Sequence, residues 1–103
     1  MPVNLLWTPQ AREDLIEIYT YIALDKPSAA ERIFNAIRAK VELLRENPRL
    51  GARRPEIRLS TRILIEGAYL ILYETHPDSD EGRIEEIEVA RIVDGRRDLK
   101  NLY

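Results

Sequence analysis

The chain has 103 residues, 45% hydrophobic and 33% charged, with a formal net charge of −2 and no cysteine. That size and apolar content suit one compact domain over residues 1–103 and exclude a disordered chain, because enough Leu, Ile and Val is present to offset the ordering entropy. The missing cysteine excludes disulfides, thiol chemistry and the commonest zinc ligand; no apolar run reaches the roughly 20 residues of a membrane span; and the near-neutral charge is unlike that of a bulk polyanion binder.

The chain opens on "MPVNLLWTPQ", which lacks the basic-then-apolar pattern of a secretory signal, so the cytoplasm is the expected compartment. "VNLLW" predicts a short strand ended by Thr8 and Pro9, a helix N-cap followed by a proline whose missing N–H costs nothing there. Ala11, Leu15, Ile18, Tyr19 and Ile22 then recur at helical steps, with Glu13, Asp14 and Glu17 expected on the polar side. "LDKPSAAE" breaks this helix and starts a second at Pro27. Its stripe is Ala30, Ile33, Phe34, Ile37, Val41 and Leu44, and its polar side carries Glu31, Arg32, Asn35, Arg38 and Glu42. A break this short joins antiparallel neighbours, so the two form a helical hairpin.

"NPRLGARRPE" is expected to be a loop. "IRLSTRILI" alternates Ile57, Leu59, Thr61, Ile63 and Ile65 against Arg58, Ser60 and Arg62, which predicts a strand with one covered face and one arginine-bearing face. "EG" signals a hairpin turn, and "AYLILYET", apolar on both faces, predicts the central strand. After the loop "HPDSDEG", "RIEEIEVARIVD" is the last strand. Ile87, Val89 and Val93 share a phase that Ile84 does not, which a bulge near Glu85-Glu86 or a later start would explain. The class is α+β: an N-terminal strand, an antiparallel helical hairpin packed on an antiparallel sheet, and a C-terminal three-stranded meander.

Charge is unevenly spread. Arg45, Arg49, Arg53, Arg54, Arg58 and Arg62 crowd the middle, Glu74, Asp78, Asp80, Glu81, Glu85, Glu86 and Glu88 follow, and Arg91, Arg96, Arg97 and Lys100 end the chain. The plainer reading is a solvated mixed-charge surface; the sharper one brings two arginine groups onto one partner surface. Metal binding has little support, with one histidine, His76, near Asp78 and Asp80 and too few ligands for a zinc or calcium site. Ser28, Ser60 and Ser79 lie in no nucleophile turn, and the four glycines are isolated. Metal-free RNA cleavage needs a base and an acid as well as cations. Arginines supply the cations, but the proton-transfer roles stand nearly empty, so no catalytic residue and no cofactor is expected.

Several motifs carry a resemblance. "W…A..DL..IY.YIA.D.P.AA", "NP.LG…RPE.R", "YLILYE" and "V.RIVDGRRDL", spread in order over essentially the whole chain, resemble the ParE toxins of type II toxin–antitoxin operons, within the RelE/ParE superfamily. The carrying residues include Trp7, Asp14, Tyr21, Pro27, Pro48, Gly51, Glu56, Arg62, Tyr69, Tyr73, Gly95, Arg96 and Arg97. The resemblance implies a strand, a helical hairpin and an antiparallel sheet. It implies binding and inhibition of DNA gyrase, and neutralisation by a ParD-like antitoxin whose disordered C-terminal segment folds on the toxin while its N-terminal domain dimerises on operator DNA. DNA would then be engaged only through the antitoxin. RelE-like relatives instead cut messenger RNA on the ribosome. Arg62, Arg91 and Tyr103 match some positions of that alternative, but its clustered lysines or catalytic histidine and glutamate are not evident.

A disordered acidic and apolar antitoxin segment needs an apolar groove with cations to offset its ordering cost. The rim between the hairpin and the arginine-bearing strand is expected to provide it, through Tyr19, Tyr21, Arg58, Leu59, Arg62 and Ile63. Arg91, Arg96, Arg97, Lys100 and Tyr103 are the expected target-binding residues.

Overall fold

Thr8 ends one element and begins the next. Its hydroxyl accepts the Ala11 N–H at 3.0 Å, capping the first helix, and donates to the Ala90 carbonyl at 2.9 Å. The computed structural model describes residues 3–96. Strand β1 (Asn4–Trp7) leads into α1 (Pro9–Ala23) and α2 (Pro27–Glu42), each with proline at its first position, and α2 runs on into a 3₁₀ turn at Leu43–Arg45. Then come β2 (Ala52–Arg53), β3 (Arg62–Glu66), β4 (Tyr69–His76) and β5 (Glu86–Asp94).

The predicted α+β class, the helical hairpin and the C-terminal meander β3–β4–β5 are all present. Among the described residues the sheet has five strands in the order β1-β5-β4-β3-β2, with β4 in the centre as its doubly apolar sequence requires. It is mixed rather than purely antiparallel, because β1 pairs parallel to β5 from Asn4↔Glu86 to Trp7↔Val89. β2, within the stretch expected to be a loop, adds a two-residue edge. Gly67, at φ 60°, makes the two-residue hairpin between Glu66 and Tyr69, a conformation that favours glycine.

Both helices cover one sheet face. Ala11, Leu15, Ile37, Val41 and Leu44 pack there on Leu64, Ile71, Tyr73, Ile87, Val89 and Ile92. The other face carries a smaller cluster of Ile63, Leu72 and Val93, flanked by Ile57 and Leu70.

Three expectations are corrected. The strand predicted from Ile57 begins at Arg62; the residues before it form turns, with the Ile57 and Arg58 N–H groups both donating to the Arg54 carbonyl. Arg62 consequently lies on the helix-covered face, 6% exposed, rather than on an open polar face. Of the two explanations for the phase of Ile84, the later start holds, since β5 begins at Glu86; the bulge sits instead near the middle of β5, where Tyr73 pairs with Val89 and Leu72 with Arg91, so Ala90 is the extra residue. It shifts the strand's phase, placing Ile92 in the core and Val93 on the opposite face.

Candidate functional site: the cleft between α1 and β5

β1 stops pairing at Val89, and among the described residues no strand neighbours the outer edge of the second half of β5. α1 runs alongside and supplies the missing acceptor. Asp14 Oδ2 accepts the Ile92 backbone N–H at 3.0 Å. Arg91, re-aimed by the bulge, donates from Nε to Asp14 Oδ2 at 2.8 Å and from Nη2 to Oδ1 at 3.1 Å. Gln10 adds a bond to Oδ1 at 3.1 Å. Asp14, expected on the polar side of the helix, is therefore buried and fully bonded.

Above this anchor α1 and β5 enclose a cleft of about 660 Å³. Its apolar wall is Ile18, Ile22, Tyr21, Tyr69, Ile92 and Val93, and its polar rim is Gln10, Asp14, Glu17, Arg91, Asp94 and Arg96. Tyr21 is 79% exposed, far more than a ring serving only the core. Arg96 Nε donates to Asp94 Oδ1 at 2.9 Å, and that bond, with the charge of Asp94, raises the guanidinium pKa above its ordinary value. The cleft thus offers apolar surface, phenol hydroxyls and guanidinium groups along a strand edge that no other strand covers among the described residues. That combination suits an amphipathic peptide segment better than a small reacting molecule.

Three of the central arginines, Arg49, Arg53 and Arg62, turn instead to the chain's own acidic loop. Arg53 holds Asp78 at 2.8 Å and Asp80 at 2.8 Å, and Arg62 Nη2 reaches Asp80 at 3.1 Å. Arg49 donates to the Ser79 carbonyl at 3.0 Å and to the Gly82 carbonyl at 2.8 Å. The Arg53 hydrogen bond, then its charge, holds the Asp80 carboxyl below the usual carboxylate range, and the same bond raises Arg53. Behind them Tyr73, the partner of Arg62 across the strands, takes the Gly51 N–H on its hydroxyl at 2.7 Å and donates to the Pro48 carbonyl at 2.9 Å. Arg62 Nη1 donates to the Gly51 carbonyl at 3.0 Å, while Arg62 Nε and the Thr61 hydroxyl are buried without a hydrogen-bond partner among the described residues.

The predicted site residues divide accordingly. Tyr21, Arg91 and Arg96 come together in the cleft, so a residue expected to bind the antitoxin stands beside two expected to bind the target. Tyr19 packs edge-on against Phe34, with ring centroids 5.6 Å apart, and lines a separate shallow depression on the hairpin with Ile16 and Glu31. Arg58 and Leu59 lie in the turns before β3, on the far side of β4 from β5, where Leu59 is exposed and Arg58 reaches Glu74 at 3.9 Å. Arg62 and Ile63 are buried within the fold of the chain alone. Arg97, Lys100 and Tyr103 lie outside the described residues. Of the two arginine groups, Arg49, Arg53 and Arg62 hold the 77–82 loop while Arg91 and Arg96 line the cleft. Gln10, Asp14, Ile18, Ile22 and Tyr69 belong to the cleft and were not foreseen as site residues. For Asp14 a signal was there, since it stands three residues after Ala11 and four before Ile18, on the buried stripe.

Residues 5–99 match the family model described as the ParE toxin of the type II toxin–antitoxin system, parDE. Among solved structures the chain is similar to the chromosomal ParDE TA system from P. aeruginosa, at 26% identity and a TM-score of 0.72, over 89% of this chain and 95% of that one. Comparison with curated proteins gave no match. Among the described residues no helix is long and apolar enough to cross a membrane.

Proposed function

The chain belongs to the ParE toxin family of type II toxin–antitoxin systems, and from that premise we propose that it inhibits DNA gyrase by protein–protein binding and is neutralised by a ParD-like antitoxin. The observation that carries the antitoxin half is the α1–β5 cleft. An antitoxin segment lays apolar side chains against Ile18, Ile22 and Tyr69, sets carboxylates on the Arg96 side, and runs beside the open edge of β5. Exposed Tyr21 is its aromatic anchor. Arg58 and Leu59, exposed on the turn before β3, are a second contact for a segment long enough to continue around the sheet.

The target half rests on the family and on charge. Arg96 lies at the rim of the cleft and leads directly into Arg97, Lys100 and Tyr103 in sequence. An antitoxin seated on Arg96 competes with a gyrase surface for the root of this basic segment, which accounts for neutralisation by mutual exclusion. A binding mode of action also fits the arginines, because Arg49, Arg53 and Arg62 are engaged with the 77–82 loop.

A supercoiling assay with purified gyrase and the free chain tests this reading. Inhibition that rises with toxin concentration, and that an equimolar ParD-like partner abolishes, is the expected result. Unimpaired supercoiling together with codon-linked cleavage on translating ribosomes would replace it with the RelE-like endoribonuclease reading.

A further inference from the structure

The sheet face turned away from the helices holds a cluster that the cleft does not use. The β4–β5 register sets Glu74 directly opposite Glu88, and His76 directly opposite Glu86. Side chains alternate between faces, and Tyr73, Thr75, Ile87 and Val89 point inward, so these four point out together. Two carboxylates directly across from each other on one face repel and destabilise a sheet. Arg58 offsets Glu74 only at 3.9 Å. His76 Nε2 lies 3.3 Å from Glu88 Oε1, and one ligand atom from each of Glu74, His76 and Glu88 lies within 4.8 Å of the other two.

We propose that Glu74, His76 and Glu88 form a binding site for a divalent transition-metal ion of the zinc class. Ligand atoms about 2.0–2.2 Å from zinc in tetrahedral array stand roughly 3.3–3.6 Å from one another. The His76–Glu88 separation already has that value, and Glu74 closes the rest by side-chain rotation. One imidazole and two carboxylates favour zinc, cobalt or nickel, whereas magnesium and calcium want more oxygen ligands. Water completes the coordination. The side chains of Glu74, His76 and Glu88 are 17%, 46% and 36% exposed, so an ion enters from solvent without opening the fold. Once bound, it neutralises the Glu74–Glu88 repulsion and ties the central strand to its neighbour. The site shares no residue with the α1–β5 cleft.

His76 is the only histidine and the chain has no cysteine, so an imidazole signal reports on this site alone. The test titrates the tag-free full chain with zinc chloride, read by calorimetry and by the His76 imidazole resonances in NMR. Expected are saturable one-to-one binding, a shift of those resonances, a rise in Tm, and no response to magnesium at the same concentration. His76→Gln and the double variant Glu74→Gln/Glu88→Gln, checked for folding by circular dichroism, should each bind at least tenfold more weakly. Zinc that leaves the His76 resonances in place, or folded variants that bind as the unsubstituted chain does, overturns the proposal. Should a variant fail to fold, the His76 resonances of the unsubstituted chain decide alone.

Discussion

Arg91 Nε stands 2.8 Å from Asp14 Oδ2, and the same oxygen takes the Ile92 backbone N–H at 3.0 Å. One carboxylate on α1 therefore stands in for a missing strand at the edge of β5 and also pairs the arginine that the bulge turns toward it. Removing one partner of a buried ion pair strands the other charge. Asp14→Ala is expected to cost about 3 kcal/mol, the lower end of the range for buried pairs, because Arg91 keeps some access to water. Asp14→Asn, which keeps an oxygen for the Ile92 N–H, should cost clearly less. Urea denaturation of both variants, with an Asp14→Ala/Arg91→Ala cycle, measures the coupling, expected at about 1–3 kcal/mol. Additive single losses would show that the two side chains act separately.

The Tyr73 hydroxyl and the Gly51 backbone make the second close fit. A Cβ at Gly51 would meet Tyr73 Cε1 at 2.6 Å and the Ile63 carbonyl oxygen at 2.7 Å. Because one of the two obstacles is strand backbone, relaxation is costly, and Gly51→Ala is expected to lose about 1–3 kcal/mol. Tyr73→Phe keeps the ring but leaves the Gly51 N–H and the Pro48 carbonyl without their partner, at about 1–3 kcal/mol. Burial also pushes the Tyr73 phenol pKa upward, the Gly51 bond opposing it. The folded state thus favours the protonated phenol. Its contribution is complete below the unfolded value of about 10 and is lost as pH rises through the folded one. The stability gap between the unsubstituted chain and Tyr73→Phe should accordingly narrow above that pH.

Much of this architecture is legible in local patterns. Thr8-Pro9, Pro27, the stripes of both helices and the doubly apolar run of β4 each fix an element through the chemistry of neighbouring residues. What stays hidden depends on partners distant in sequence. The parallel pairing of β1 with β5 joins Asn4 to Glu86, and no periodicity announces it. The bulge at Ala90 exists only relative to β4, so Val93 reads as sharing a phase with Val89 when it does not. Arg62 follows the alternation of a polar face, yet its guanidinium satisfies the Gly51 carbonyl and Asp80 from within the covered one. The cleft escapes for the same reason, since it forms where β1 ends and α1 passes beside β5.

The 77–82 loop gives an acid-range prediction. The Arg53 bond depresses the Asp80 carboxyl pKa, with further help from Arg62 and Arg49. A depressed carboxyl stabilises the fold above its unfolded value, about 3.9, and that stability is lost as pH falls through the folded value. Asp80→Asn should therefore be less stable than the unsubstituted chain at pH 7. The difference should fade as pH drops below about 4, and also shrink at high salt, because Asp80 is well exposed. Denaturation curves across a pH series check this; a gap that persists at pH 2 would assign the effect to loop packing instead of charge.

Tyr21 and Arg96 separate partner binding from folding. Both are exposed, at 79% for the Tyr21 residue and 83% for the Arg96 side chain. Truncating such side chains usually changes stability by no more than about 0.5 kcal/mol. If the α1–β5 cleft seats the antitoxin, Tyr21→Ala removes an aromatic anchor and should weaken the complex by about 1–2 kcal/mol or more, roughly tenfold or above in Kd. Arg96→Glu should slow association chiefly at low salt, because reversing a rim charge acts on the encounter. Calorimetric titration of a ParD-like partner, beside thermal denaturation of each variant, reads both effects. Full affinity in Tyr21→Ala would move the antitoxin site away from the cleft and back toward Arg58 and Leu59. Lost affinity with unchanged Tm would fix it along the open edge of β5.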